Sequence, residues 1–256
     1  MKLLAFDTST EQMSIAVTRE IDGTQQLWQY SGAGGARASS HLIPEIERLL
    51  AQAGLSLQEL DAICFGQGPG SFTGLRTACS VAQGLGFGAG RPLLPVDSLL
   101  SVAEEARYQY AAHDSQCRVL ALLDARMDEM YAAQYAYSQG QWMQTQDFFL
   151  LNPESLSAHL QSSAGPGGLA LAGNVFVPYG ARLNLAADVP CWTALPAAAA
   201  MLRLAPALLA AGQALDAANA LPRYIRDKVA QTTAERAQAK AALSALTLSS
   251  PISNHP

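Results

Sequence analysis

Hydrophobic residues recur along this chain in two rhythms. Short apolar runs at residues 3–6 and 13–17, separated by a polar turn, predict a β-hairpin; further runs at 62–65, 91–96, 119–123, 130–137 and 169–172 predict strands. Between them the spacing becomes helical. Leu42, Ile43, Ile46, Leu49 and Leu50 predict a helix over 39–54 that stops at Gly54, and similar patterns predict helices over 75–88, 98–110 and 152–160. An Ala/Leu-rich stretch over 196–211 predicts another, interrupted or kinked at Pro206. Residues 222–226 read as the last folded piece. The polar, alanine-rich residues beyond Lys228, with a loose helix at 234–246, read as an appended tail.

Two hairpins look alike. Each has an apolar strand that ends in an aspartate, Asp7 or Asp124, before a second strand returns. This pseudo-repeat predicts two related α/β halves with a cleft between them. The boundaries fall at 1–100 for the first half, 101–227 for the second and 228–256 for the tail.

Composition narrows the function classes. Half of the 256 residues are hydrophobic and 14% are charged, enough apolar material for a sizeable core. A formal net charge of −5 offers no broad positive field for a phosphate backbone, so tRNA or other nucleic acid is not expected to bind this chain alone. Cys64, Cys79, Cys117 and Cys191 form no CxxC pair, which suits reduced thiols. The first apolar run is too short for a signal peptide and no run is long enough to span a membrane, giving a cytoplasmic expectation.

Several residues could carry chemistry. Gly66 to Gly74 lies between a strand and a helix, where Gly68, Gly70 and Ser71 could cradle an anion, although neither a Walker A loop nor a dinucleotide fingerprint is present. The same loop also reads as a structural turn with Ser71 or Thr73 capping the helix. Asp7, Thr8 and Ser9 could hold a phosphate or its magnesium, or fill an ordinary turn. Asp124, Arg126, Asp128 and Glu129 read as a charged turn first and a catalytic cluster second. His41, His113, His159 and His255 form no i, i+4 pair, so no metal site is expected. The glycines of the second helix each cost about 1 kcal/mol relative to alanine. The small residues Ala78, Ala82, Ser80, Gly84 and Gly88 would let another helix approach, from within this chain or from another subunit.

Taken together, Phe6-Asp7-Thr8-Ser9-Thr10, Gly68-Pro69-Gly70-Ser71-Phe72-Thr73-Gly74-Leu75-Arg76, Ala82-Gln83-Gly84-Leu85, Asp124-Ala125-Arg126-Met127-Asp128-Glu129-Met130-Tyr131 and Pro222-Arg223-Tyr224-Ile225-Arg226 resemble the TsaB (YeaZ) family. The likeness runs from Met1 to about Lys228. It implies the actin, sugar-kinase and Hsp70-like (ASKHA) α/β fold. It also implies a non-catalytic scaffold for the complex that places threonylcarbamoyl on N6 of the adenosine beside the tRNA anticodon. The implied partners are a catalytic TsaD-type (Gcp, glycoprotease-like) paralogue and a TsaE-type ATPase, with a homodimer as a competing assembly and tRNA reached only through the complex. The docking surface would lie on the first two helices, through His41, Ile43, Ile46, Leu50, Thr77, Ala78, Val81, Ala82 and Leu85. No cofactor is required under this reading, and a vestigial cleft at Asp7, Thr8, Ser9, Gly68, Gly70 and Ser71 would bind ATP or ADP weakly. The alternative is an ATP-dependent kinase-like phosphotransferase. A metallopeptidase lacks its ligands.

Overall fold

The computed structural model describes residues 1–162 and 168–226, and the regular elements among the described residues lie within Met1–Ile225. The first half runs β1 (Leu3–Asp7), β2 (Gln12–Ile21), β3 (Thr24–Ala33), α1 (Ala38–Ala53), β4 (Ala62–Gly68), α2 (Phe72–Ala89) and β5 (Leu93–Asp97). There follow α3 (Ser98–Tyr110), β6 (Gln116–Arg126), β7 (Glu129–Ser138), β8 (Gln141–Leu151), α4 (Leu156–Ser162), β9 (Leu169–Gly173), α5 (Phe176–Tyr179), β10 (Cys191–Thr193) and α6 (Ala198–Ala210).

β1 is apolar without alternation up to Asp7 because both of its faces are covered. Leu4 and Phe6 join Leu42, Ile46 and Leu49 of α1 and Ala78 and Ala82 of α2. Leu3 and Ala5 point the other way, into a cluster with Met201 and Ala205 of α6. β4 divides likewise, Ile63 and Phe65 against Ala62 and Cys64. Each fully buried large side chain contributes roughly 1.5–3 kcal/mol.

The sheet order is β3-β2-β1-β4-β5, with β1 antiparallel to β2 and parallel to β4. The second sheet repeats it as β8-β7-β6-β9-β10: β6 is antiparallel to β7 and parallel to β9. The two related α/β halves expected from a pair of hairpins are thus present in strand order and direction. α6 packs on the first sheet and α3 on the second, and the two helices pack on each other between them.

Three strands escape the hydrophobic pattern. β3 and β8 are edge strands paired on one side only, and β3 shows no residue buried in full; a strand so exposed needs no apolar alternation. β10 has three residues. The helix expected over 152–160 divides into a 3-10 turn, Pro153–Ser155, and α4. α6 runs on through Pro206 to Ala210 rather than stopping there. The expected helix at 234–246 and the tail after Lys228 lie outside the described residues, and no described helix is long and apolar enough to cross a membrane. The four cysteines are free, with Cys64 and Cys79 buried.

After α6 the chain straps back across the first half. Leu215 exchanges backbone hydrogen bonds with Leu93, and the Ala220 carbonyl accepts from Cys79 Sγ (3.3 Å) and Gln83 Nε2 (3.1 Å). Gln67 Nε2 donates to the Leu221 carbonyl (3.1 Å), and the Arg223 N–H donates to the Gln67 carbonyl (2.8 Å).

Two carboxylates tie the halves together. Glu104 of α3 is 3% exposed and accepts from Arg107 Nε (3.0 Å), Arg203 Nε of α6 (2.7 Å) and Trp142 Nε1 of β8 (2.9 Å). Burial works to raise its pKa, but these donors outweigh burial and hold it below the usual glutamate range. Asp97 caps α3, accepting from the Leu99 N–H (2.9 Å), and its other oxygen accepts from the Tyr135 hydroxyl of β7. Here burial prevails over those bonds and the carboxyl is pushed up to about 6.

Glu104→Gln leaves two arginines without their shared charge and should lower stability by about 3 kcal/mol in urea unfolding; an unchanged midpoint would show that the donors find other partners. For Asp97 the folded state holds a proton more tightly than the unfolded chain. Its contribution therefore grows as pH falls from about 6 toward the ordinary aspartate value near 4, and is absent above that window. The stability difference between wild type and Asp97→Asn should shift in favour of wild type by at most roughly 3 kcal/mol across that range. A difference independent of pH would refute the assignment.

Candidate functional site

The polar end of β1 is not open to solvent. Asp7, Thr8 and Ser9 are all buried. Asp7 Oδ1 accepts from both the N–H (2.8 Å) and the hydroxyl (2.6 Å) of Ser9, and Oδ2 accepts from Ser98 Oγ (3.2 Å). Burial pushes the Asp7 carboxyl up, with the Ser9 and Ser98 bonds pulling against it. The Thr8 hydroxyl donates to the Gly74 carbonyl (2.7 Å), and the Ser9 carbonyl accepts from the Ser71 N–H (2.7 Å).

The glycines of the loop follow from that packing. A Cβ on Gly74 would overlap the Thr8 carbonyl oxygen, and one on Gly70 would lie 2.6 Å from both Ser9 Cβ and its carbonyl oxygen. The loop thus wraps the Asp7 turn. Of the six residues expected to form a nucleotide cleft, the structure gathers Asp7, Thr8, Ser9, Gly70 and Ser71 into one mutual contact. Gly68 has φ +119°, and a Cβ there would meet the Arg223 carbonyl oxygen at 2.7 Å. α2 begins at Phe72, three residues earlier than its pattern predicts. Ser71 occupies the N-cap position without a side-chain capping bond, and Thr73 lies inside the helix, so neither caps as expected.

The matching turn of the second half is built differently. Arg126, Met127 and Asp128 all have positive φ, 61°, 56° and 57°. Asp124 Oδ1 accepts from the Arg126 N–H (2.7 Å) and the Tyr179 hydroxyl (2.8 Å), while Arg126 pairs with Asp124 at 3.2 Å. Arg182 bridges Asp128 (2.8 Å) and Glu154 (2.7 Å). These carboxylates are spent on arginines and a tyrosine. Among the described residues no group of three or more His, Cys, Asp or Glu side chains converges as a metal site.

α1 and α2 cover the same face of the first sheet. Of the nine residues expected on a docking surface, Ile46, Leu50, Ala78 and Ala82 are buried in the core of this chain, a correction with a simple cause. The resemblance points to these helices, but the i, i+4 stripe these four residues form is the stripe the sheet itself takes. Thr77, Val81 and Leu85 are half-buried, and His41 and Ile43 are exposed. What α2 turns outward is Ser80, Gly84, Phe87 and Gly88, with Phe87 66% exposed and open space beyond Gly84 and Gly88. Phe87 was missed because a single aromatic between glycines carries no periodic signal.

A second exposed group unites two distant motifs. Arg76 Nε donates to the Tyr224 hydroxyl (3.0 Å), its guanidinium lies 3.8 Å from the Phe72 ring centroid, and the two rings are 5.3 Å apart.

Comparison with known proteins is consistent across sequence and structure. Residues 35–246 match the family model described as TsaD: tRNA N6-adenosine threonylcarbamoyltransferase. The tRNA threonylcarbamoyladenosine biosynthesis protein TsaB of Escherichia coli (strain K12) is 33% identical over 232 residues, 90% of this chain and 96% of that protein. TsaB of Haemophilus influenzae is 32% identical over 243 residues, 90% and 95% of the two chains. The solved structure of YeaZ from Pseudomonas aeruginosa superposes with a TM-score of 0.73 at 35% identity, covering 88% of this chain and 99% of that one.

Gly74→Ala should lower the unfolding free energy by more than about 2 kcal/mol, because the clash is with backbone, whereas Gly84→Ala should raise it by up to about 1 kcal/mol. Thermal unfolding of both variants checks the pair; equal effects would contradict the packing described.

Proposed function

The chain belongs to the TsaB (YeaZ) family of tRNA threonylcarbamoyladenosine biosynthesis proteins, and from that premise we propose that it works as a non-catalytic scaffold and activator. In this reading it docks onto a TsaD-type subunit, which transfers the threonylcarbamoyl group to N6 of the adenosine beside the tRNA anticodon. A TsaE-type ATPase completes the assembly, and tRNA is engaged through the complex. The chain needs no cofactor of its own.

The observation that carries the proposal is the outward side of α2. Ser80, Gly84 and Gly88 stand four apart with open space beyond both glycines, so a partner helix can approach the backbone closely, and Phe87 beside them offers an apolar anchor. Exposed glycine in a helix is unfavourable in the isolated chain, and a partner seated there supplies the compensation. The buried, mutually bonded Asp7 turn supports the same reading over a kinase-like enzyme, since the Thr8 and Ser9 hydroxyls are already committed. A net charge of −5 agrees with tRNA reached through partners.

Phe87→Glu should weaken binding to the TsaD-type subunit more than about tenfold in calorimetry while leaving the melting midpoint in place. In a reconstituted reaction with tRNA, the adenylate-forming synthase, the TsaD-type subunit and the ATPase, product should require this chain. Product at full rate without it would overturn the scaffold role. Binding that survives Phe87→Glu would move the docking surface elsewhere, and self-association lost in this variant would assign the face to a homodimer.

A further inference from the structure

Between the two sheets lies a cleft of about 500 Å³, lined by none of the residues of the Asp7 turn or of the outward side of α2. One wall carries Asp97, whose two oxygens accept from the Leu99 N–H and the Tyr135 hydroxyl. Another carries Arg223, delivered by the C-terminal strap: its backbone N–H is fixed to the Gln67 carbonyl at 2.8 Å, and its guanidinium lies 4.9 Å from the Phe148 ring centroid. Among the described residues no carboxylate comes within ion-pair distance of that guanidinium, although its charge is felt at Asp97. Leu100, Leu208 and Trp142 complete the lining with apolar surface. Trp142 directs its N–H away to Glu104 and so leaves its ring to the cleft wall.

This combination selects among ligands by charge. An anion would satisfy Arg223 but meet the Asp97 carboxylate; a cation would do the reverse. An apolar molecule would strip water from both charges with no return. A molecule with a carboxylate at one end and an ammonium near it satisfies both walls. The cleft volume falls in the usual range for small-molecule sites and leaves room for a side chain over the apolar lining.

We propose that this cleft binds a small zwitterion of the amino-acid class, with its carboxylate on Arg223, its ammonium against Asp97 beside the Tyr135 hydroxyl, and its side chain over Leu100, Leu208 and Trp142. The fork of the guanidinium suits a carboxylate held by two parallel bonds. Burial raises the Asp97 pKa, and an ammonium beside it would favour its charged form. The strap carries Arg223 into the lining, so occupancy would also hold the strap against β4.

The test is calorimetric titration of the full chain with each proteinogenic L-amino acid, followed by the carboxamide and the N-acetyl derivative of whichever binds. At least one amino acid should bind with a dissociation constant below about 1 mM, and removal of either ligand charge should weaken it at least about tenfold. Arg223→Gln and Asp97→Asn should each produce a similar loss, with circular dichroism confirming that both variants fold; should either variant unfold, the two derivatives on wild-type protein still decide the matter. No binding by any amino acid at about 10 mM would overturn the proposal. So would binding indifferent to the carboxamide and N-acetyl changes.

Discussion

The Thr8 carbonyl oxygen occupies the place where a side chain at position 74 would stand, and the first half of the molecule is arranged around that approach. Because Gly74 has no Cβ, the first turn of α2 can close onto the end of β1, and the Thr8 hydroxyl then bonds the Gly74 carbonyl. The register of α2 over the sheet follows. Ala78, Ala82 and Gly86 face inward, and Ser80, Gly84, Phe87 and Gly88 are left outside. The glycine loop packs directly on the turn that ends β1.

The same economy governs the second half, with other means. β6 takes the place of β1 in an identical strand order, yet its turn is held by Asp124, Tyr179 and three residues of positive φ rather than by a glycine loop. After β9, in the position that α2 holds after β4, stands the four-residue helix α5. The halves are alike in topology and unlike in what they present. Among the described residues, the long small-residue helix and its exposed phenylalanine belong to the first half alone.

Between the halves, polar groups carry the connection. Glu104 joins α3, α6 and β8 through three donors, and Asp97 joins the first sheet to Tyr135 of the second. A buried carboxylate is costly unless satisfied; Glu104 meets its donors only when α3, α6 and β8 come together, and Asp97 meets Tyr135 only when both sheets are in place. The strap from Leu215 to Tyr224 adds Arg223 to the same space and brings Tyr224 onto Arg76.

Local pattern and short motifs were enough to determine most central strands, α1, α3, the duplication and the family. Buried strands and amphipathic helices must write their surroundings into their own periodicity. β3 and β8 left no such mark, because neither strand buries a side chain in full. The site divides along the same line. Sequence singled out Asp7 and the loop from Gly66 to Gly74, but only the tertiary structure showed the Thr8–Ser9 backbone lying against Gly70 and Gly74. Likewise the family resemblance placed Ile46, Leu50, Ala78 and Ala82 on a docking face, and the sheet beneath them decided which contact they make. A periodic stripe states that a helix has a partner on that side; it does not state whether the partner is its own chain. That answer, like the meeting of Asp97, Tyr135 and Arg223 from distant parts of the chain, exists only once the two sheets are in place.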